Sequence, residues 1–311
     1  PGDQLVSATG RPYDTLANVI SSGSPESLTG AGVDYCEMPL GQGGYPDVEA
    51  LEGALRENTK MVFIQRSRGY QARPAVPLAM IESIVKKVKL YNRDIIIMVD
   101  NCYGEFTSLN EPVGLGVDIM AGSLIKNPGG GLAPNGGYVC GRSELVQKAA
   151  WQITAPGLGK ELGSIPFDKR YIFMGLFMAP HVVLQSLKGA VLLAYLFEKQ
   201  GFAVAPLWND PRSDIVQSIR LKDAEQVRRF CQLVQRYSPI DSDAALEYGE
   251  LPGYMDGVVM AAGTFIQGSS IELSCDAPLR EPYCAFWQGG LTYEHCRYVC
   301  ERLVEEFMLT S

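Results

Sequence analysis

Two residues standing 126 − 100 = 26 positions apart carry the strongest chemical signal in this sequence of 311 residues. Asp100 ends the apolar run Ile95-Ile96-Ile97-Met98-Val99, a buried-strand pattern that breaks off in a carboxylate, and Asn101-Cys102-Tyr103-Gly104-Glu105-Phe106 follows. A carboxylate at the carboxyl end of a central strand faces the crevice where open α/β sheets bind ligands. If partly buried, it stays ionised only beside a cation or hydrogen-bond donors. The plainer alternative is an Asp that caps the turn after it. Lys126 closes a second apolar stretch, Ala121-Gly122-Ser123-Leu124-Ile125, and enters the run Asn127-Pro128-Gly129-Gly130-Gly131. Its strand should deliver it to the same crevice, where desolvation turns an ammonium into a nucleophilic amine; the alternative is an ordinary loop lysine. Ser123 offers a hydroxyl to an anion such as phosphate, and the glycines let backbone approach a ligand closely. An aldehyde cofactor with a phosphate tail uses all of these parts. Pyridoxal 5'-phosphate (PLP) needs a lysine for its Schiff base, an acid opposite its pyridinium nitrogen and a hydroxyl-bearing phosphate cup.

Rival chemistries find less support. Neither Gly-x-Gly-x-x-Gly nor Gly-x-x-x-x-Gly-Lys-[Ser/Thr] occurs: Gly114-Leu115-Gly116 lacks a third glycine, and Lys160 is followed by Glu161. His181 and His295 are the only histidines, and neither sits in a nucleophile context. Cys296 and Cys300 lie one helical turn apart beside His295, without a second pair at zinc-site spacing, so no metal site is expected. The eight cysteines are scattered through a chain long enough to need no disulfide staples, which reads as reduced thiols in a reducing compartment.

The elements that must position Asp100 and Lys126 follow from hydropathy. Gln4 to Ser7, Met61 to Gln65 and Ile95 to Val99 read as strands, with a helix from Pro77 to Tyr91 between the last two. This alternation predicts an α/β fold with a mainly parallel sheet covered by helices. A long apolar helix is expected from Met178 to Gln200. Beyond it come a strand at Ile215 to Leu221, an amphipathic helix at Ala224 to Tyr237, a strand at Ser269 to Ser274 and a closing helix at Thr292 to Met308. The expected organisation is therefore a large domain over residues 1–200 and a smaller α+β domain over 201–311. With 27 Lys+Arg against 35 Asp+Glu the net charge is −8, which disfavours nucleic acid and anionic membranes as partners. Gly189 to Phe197, the most apolar stretch, is too short to span a bilayer. A cytoplasmic protein is expected, or an organellar one if a leader lay upstream. The opening Pro1-Gly2-Asp3 reads as a turn with an N-terminal part missing before it.

Several strings together resemble the methionine γ-lyase-like, or aluminium-resistance, family of PLP enzymes. They are Val99-Asp100-Asn101-Cys102-Tyr103-Gly104-Glu105-Phe106, Ala121 through Gly131, Pro134-Asn135-Gly136-Gly137-Tyr138 and Arg11-Pro12-Tyr13-Asp14-Thr15. To these add Ile64 through Tyr70, Thr154-Ala155-Pro156-Gly157 and Ser274 through Tyr283, so that the likeness covers essentially the whole chain. The resemblance implies the fold type I architecture of aspartate aminotransferase and a homodimer or homotetramer acting on a small amino-acid substrate. It implies that Lys126 forms the Schiff base, that Asp100 holds the pyridinium nitrogen protonated, and that Ser123 binds the phosphate. Tyr13 would stack on the ring and protonate a departing sulfur, and Asn101 would join the cofactor contacts. Arg280 would clamp the substrate α-carboxylate, with Arg66, Ser67 and Arg68 near substrate or the cofactor 3-oxygen; at least one of those two arginines is expected at the surface. The implied activity is a carbon–sulfur lyase, eliminating at the β or γ carbon of a sulfur amino acid.

The chain departs from the better-studied lyases in three places. Ser-x-Thr-Lys is here Ser123-Leu124-Ile125-Lys126, Arg66-Ser67-Arg68 replaces an Asn-Pro, and the C-terminal Arg-x-Ser-x-Gly motif is absent. The same Asp and Lys would equally serve a transaminase, since the side chains around PLP choose its reaction. A non-catalytic interaction module and a nucleotide-binding α/β domain are the readings from other classes.

Overall fold

The computed structural model describes residues 1–153, 155, 157–161, 168–249 and 256–308; Thr154 and Pro156 of the Thr-Ala-Pro-Gly string lie outside them. By contacts the chain forms two compact units, one of residues 1–123 and 136–169, the other of 124–135 and 170–311.

The first unit contains β1 (Gln4–Ser7), α1 (Asp14–Ser21), β2 (Asp34–Glu37), α2 (Leu51–Ala54), β3 (Thr59–Gln65), α3 (Leu78–Tyr91), β4 (Ile96–Asp100), β5 (Ile119–Ser123), β6 (Gly137–Gly141) and α4 (Ser143–Ile153). Its six strands order as β2-β1-β3-β4-β5-β6, all parallel except the β5–β6 pair. This is the mainly parallel sheet the sequence predicts. Helix α3 explains its own formation: Ile81, Ile84, Val85 and Val88 recur at helical spacing and are all buried. Burying each contributes about 2 kcal/mol, against a helix-propensity cost of only a few tenths per β-branched residue. They pack on Val6, Val62, Ile64, Ile97 and Val99, one face of the sheet. Because strand side chains alternate, the intervening residues face the other way, and there Leu5, Phe63, Met61 and Met98 meet Leu16 and Ile20 of α1. The same alternation sends Asp100 to the α1 face and Asn101 to the α3 face.

The second unit contains α5 (Arg170–Lys199), β7 (Val204–Ala205), β8 (Gln217–Arg220), α6 (Ala224–Arg236), β9 (Val258–Ala261), β10 (Ser274–Pro278), β11 (Cys284–Gln288) and α7 (Tyr293–Leu303). Its five strands order as β7-β8-β11-β10-β9 and are antiparallel throughout. Leu193 and Phe197 of α5, Phe230 of α6, Trp287 of β11 and Leu303 of α7 share one core. All of these strands lie beyond residue 200, and α5 groups by contact with them and with residues 124–135. The apolar stretch from Gly189 belongs to a helix of 30 residues, long and apolar enough to cross a membrane by composition; its buried residues include Val183, Ala190, Leu193 and Phe197. The strand expected at Ser269 to Ser274 starts only at Ser274, because Ile271 gives its N–H to Ile125 and its carbonyl to Gly290 outside any ladder.

In the glycine-rich run after Lys126, Gly130 lies against backbone of its own unit. A Cβ on Gly130 would stand 2.4 Å from the Gly175 carbonyl oxygen. Its glycine lets this loop lie against the backbone of α5, and its φ of 53° is one that side-chain-bearing residues avoid.

Candidate active site

In the first unit the ends of β4 and β5 fix two polar residues on one face. Asp100 pairs in register with Ala121, so Ser123 sits one pleat further along the same face, about 7 Å on at strand spacing. Both line a cavity of about 520 Å³ together with Tyr13, Cys102, Gly122, Gly136, Gly137, Met61, Phe63, Met98 and residues of α1. Asp100 Oδ1 accepts the Cys102 N–H at 3.0 Å, so the carboxylate caps the following turn and lines the cavity at once. Tyr13 precedes α1, and its backbone N–H donates to Gln65 Oε1 at 2.8 Å. Gln65 in turn donates from Nε2 to the Ser67 carbonyl at 2.9 Å. Gln65 opens the strand-end stretch to Tyr70 where function is expected, but no role was assigned to it; its signal is a polar residue closing the apolar run of β3.

Asn101 does not face this cavity. Its Oδ1 accepts from Arg66 Nη1 at 2.8 Å, and its Nδ2 donates to Glu111 Oε2 at 2.9 Å and Tyr138 Oη at 3.3 Å. Alternation along the chain turns it to the side opposite Asp100, which corrects its assignment to the cofactor. Arg66 is likewise committed: it is fully buried, its Nη2 donates to Thr107 Oγ1 at 3.2 Å, and Glu111 lies 3.5 Å from Nη1. The expectation of a surface arginine in the triplet fails, since Arg66 is 0% and Arg68 4% exposed, with Ser67 buried between them. None of the three lines the cavity. A third arginine, Arg73, is also buried and donates to the carbonyls of Gln65 at 2.9 Å and Ser67 at 2.6 Å.

The loop after Asp100 is thus held from beneath by a buried polar network. Tyr138 Oη donates to Glu105 Oε1 at 2.8 Å, and Glu111 Oε1 accepts the Phe106 N–H at 2.9 Å. Burial, with the negative charges of Glu111 and Asp100 adding to it, pushes Glu105 up to about 8 against the pull of the Tyr138 hydroxyl. Glu105 therefore keeps its proton at neutral pH. Tyr103 and Phe106 hold φ of 68° and 60°, values that persist in non-glycine residues only where the surroundings over-determine them. The network supplies that constraint.

The second unit carries Lys126 and Arg280. Lys126, half-buried, follows Ser123 by three residues, and its Nζ donates to the Ser269 carbonyl at 2.7 Å. Arg280 Nη1 donates to Asp256 Oδ2 at 2.8 Å, so its ion-pair partner here is Asp256 rather than the adjacent Glu281. Among the described residues no group of three or more His, Cys, Asp or Glu side chains is disposed to hold a metal.

Comparison with known proteins bears on what this arrangement does. The sequence matches the methionine gamma-lyase family over residues 1–308. Protein YnbB of Bacillus subtilis is 45% identical over 311 residues, covering 99% of this chain and 74% of that protein. The crystal structure of a carbon–sulfur lyase involved in aluminium resistance from Clostridium novyi is similar at a TM-score of 0.91 and 44% identity, covering 99% of this chain and 73% of that one. The cystathionine gamma-lyase of Lactobacillus plantarum shares the fold, with a TM-score of 0.61 at 16% identity over 98% of this chain and 76% of its own. The chain belongs to the methionine gamma-lyase family, an enzyme family of PLP-dependent carbon–sulfur lyases.

Proposed function

We propose that this enzyme binds PLP through Lys126 and eliminates a thiol from a sulfur amino acid such as methionine or cystathionine. The observation that carries the reading is that an aromatic ring, a carboxylate and a hydroxyl, those of Tyr13, Asp100 and Ser123, line one cavity. The donor set fits the cofactor. A flat ring with one cationic edge suits a mostly apolar cavity holding a single carboxylate, and Ser123 offers the phosphate a hydroxyl. Among the described residues no basic side chain lines the cavity, so the phosphate charge calls for donors beyond them.

Bound PLP supplies an electron sink for the pair left on the substrate Cα. Asp100 keeps the ring nitrogen protonated, which is what makes that sink effective. The Lys126 amine would act as general base on the substrate Cα proton. The Tyr13 hydroxyl protonates the departing sulfur. Loss of a γ substituent requires Lys126 to move a second proton first. Arg280 is assigned to the α-carboxylate, for which its planar fork is suited, exchanging the Asp256 carboxylate for that of the substrate. The net reaction is amino acid plus water giving thiol, ammonia and a 2-oxo acid. A homodimer or homotetramer is proposed by analogy with the family.

The test is to load the protein with PLP and offer methionine, cystathionine and homocysteine. Thiol-bearing product and 2-oxo acid released in equal amounts from at least one of them is the expected result. Neither product from any of them, or transfer of the amino group to an added 2-oxo acid, contradicts the reading.

A further inference from the structure

Lysine carries its amine on a flexible four-carbon stem, so an amine that must meet a cofactor needs something to hold it. In the second unit that something is a backbone carbonyl, Ser269 O, which accepts from Lys126 Nζ at 2.7 Å. The carbonyl belongs to the segment between β9 and β10, which lacks regular structure yet is fastened at many points. The Glu272 carboxylate accepts the N–H groups of Phe265 at 3.0 Å and Ile266 at 2.8 Å. Thr264 Oγ1 donates to the Ile266 carbonyl at 2.7 Å, and the Ile271 N–H donates to the Ile125 carbonyl, beside Lys126, at 3.0 Å.

Ser269 itself is anchored from below. Its Oγ donates to Asp276 Oδ2 at 2.5 Å, and the same oxygen accepts from Gln288 Nε2 at 3.0 Å. Asp276 lies within β10 and is 1% exposed, and Gln288 stands on the adjacent strand β11, also buried. A buried carboxylate inside a strand is costly unless its hydrogen bonds are made. One of these bonds comes from Ser269, whose carbonyl receives the lysine.

We propose that Asp276 is a positioning residue for Lys126, acting through Ser269 to hold the amine in place before it meets PLP. The inference rests on the reading that Lys126 binds PLP. Asp276 touches neither cofactor nor substrate; its effect passes through the fixed carbonyl. Because a reacting group displaced by about 1 Å can cost up to a hundredfold in rate, loosening this anchor should show in how fast the amine captures the cofactor.

The experiment strips the protein of PLP, adds PLP back and follows the rise of the visible band, in the wild type, Lys126→Ala, Ser269→Ala, Asp276→Ala and Asp276→Asn. Melting temperature is recorded alongside. Ser269→Ala keeps the carbonyl but loses the tether, and it is expected to capture PLP at least about tenfold more slowly while still unfolding cooperatively, its melting temperature lowered only by the one hydrogen bond that Asp276 loses. Asp276→Ala, if it folds, should match it. Asp276→Asn keeps an oxygen facing Ser269 and Gln288 and should recover to within about threefold of wild type. A band that Lys126→Ala abolishes, with Ser269→Ala as fast as wild type, overturns this inference alone. An Asp276→Asn variant as slow as Asp276→Ala also overturns it, since the anchor would then not be a hydrogen bond. A wild-type band that is absent, or that survives Lys126→Ala, overturns the underlying reading and the inference with it.

Discussion

The guanidinium of Arg66 donates from Nη1 to Asn101 Oδ1 across 2.8 Å, and this bond ties the residue after β3 to the residue after Asp100. The position of the Asp100 carboxylate is thus set by groups on the far side of the sheet from its cavity.

Replacing Arg66 by Lys removes the planar fork that reaches Asn101 and Thr107 together. The expected loss is about 2 kcal/mol of stability, since hydrogen bonds to a charged group are broken in a buried place. Thermal unfolding measures the loss, and PLP affinity should fall with it as the Asp100 loop loosens. Gly104→Ala attacks the same contact from the other side. A Cβ there would stand 2.6 Å from Arg66 Cδ, and the overpacking is expected to cost about 1–3 kcal/mol.

Glu105 makes stability fall as the solution becomes alkaline. Burial raises it from 4.5 to about 8, so across that interval the folded chain binds a proton that the unfolded chain has released. Stability is therefore greatest below the unfolded value and is lost as pH rises through the folded one. Glu105→Gln, which copies the shape of the protonated acid, should melt with wild type at the acid end of this interval and above it at the alkaline end. A constant difference between the two melting curves across the interval would contradict the assignment.

Asp118 works with the opposite sign. Burial alone would raise its carboxyl, but Lys89 Nζ at 2.7 Å, the Ile97 N–H at 2.8 Å and Arg142 Nη1 at 3.0 Å outweigh it and hold the group below its ordinary value. Its contribution is present above the ordinary Asp range and is lost as pH falls through the lowered value. Asp118→Ala should cost about 1–3 kcal/mol at neutral pH, chiefly the cost of stranding the buried Ile97 N–H, since Lys89 and Arg142 still reach solvent. Denaturant unfolding at a series of pH values should show that gap closing in acid.

Elements whose pattern is local were legible in the sequence. Apolar periodicity gave α3 to within a residue at its start and β4 with its closing Asp100, because each buries a regular face. Asp100 and Ser123 could be singled out because a polar residue at a strand end stands out against an apolar run, whereas Tyr13 was legible only through the family resemblance. The roles of Arg66 and Asn101 could not be read in this way. Which side of the sheet Asn101 faces depends on where β4 ends, and Arg66 is buried only because Gly104, Thr107 and Glu111 return to it from a loop distant in sequence. That Gly130 admits the backbone of α5 at Gly175 was equally out of reach of the sequence pattern. Ser269 and Asp276 meet Lys126 through contacts spanning more than a hundred residues, and no periodicity reports such a pairing.

The most direct test of the central claim is the visible absorption of the protein with added PLP, compared with Lys126→Ala. The account predicts a yellow band in the wild type that disappears on borohydride treatment and is missing from the variant. A wild-type protein without that band, or a variant that retains it, would contradict the claim that Lys126 carries the cofactor.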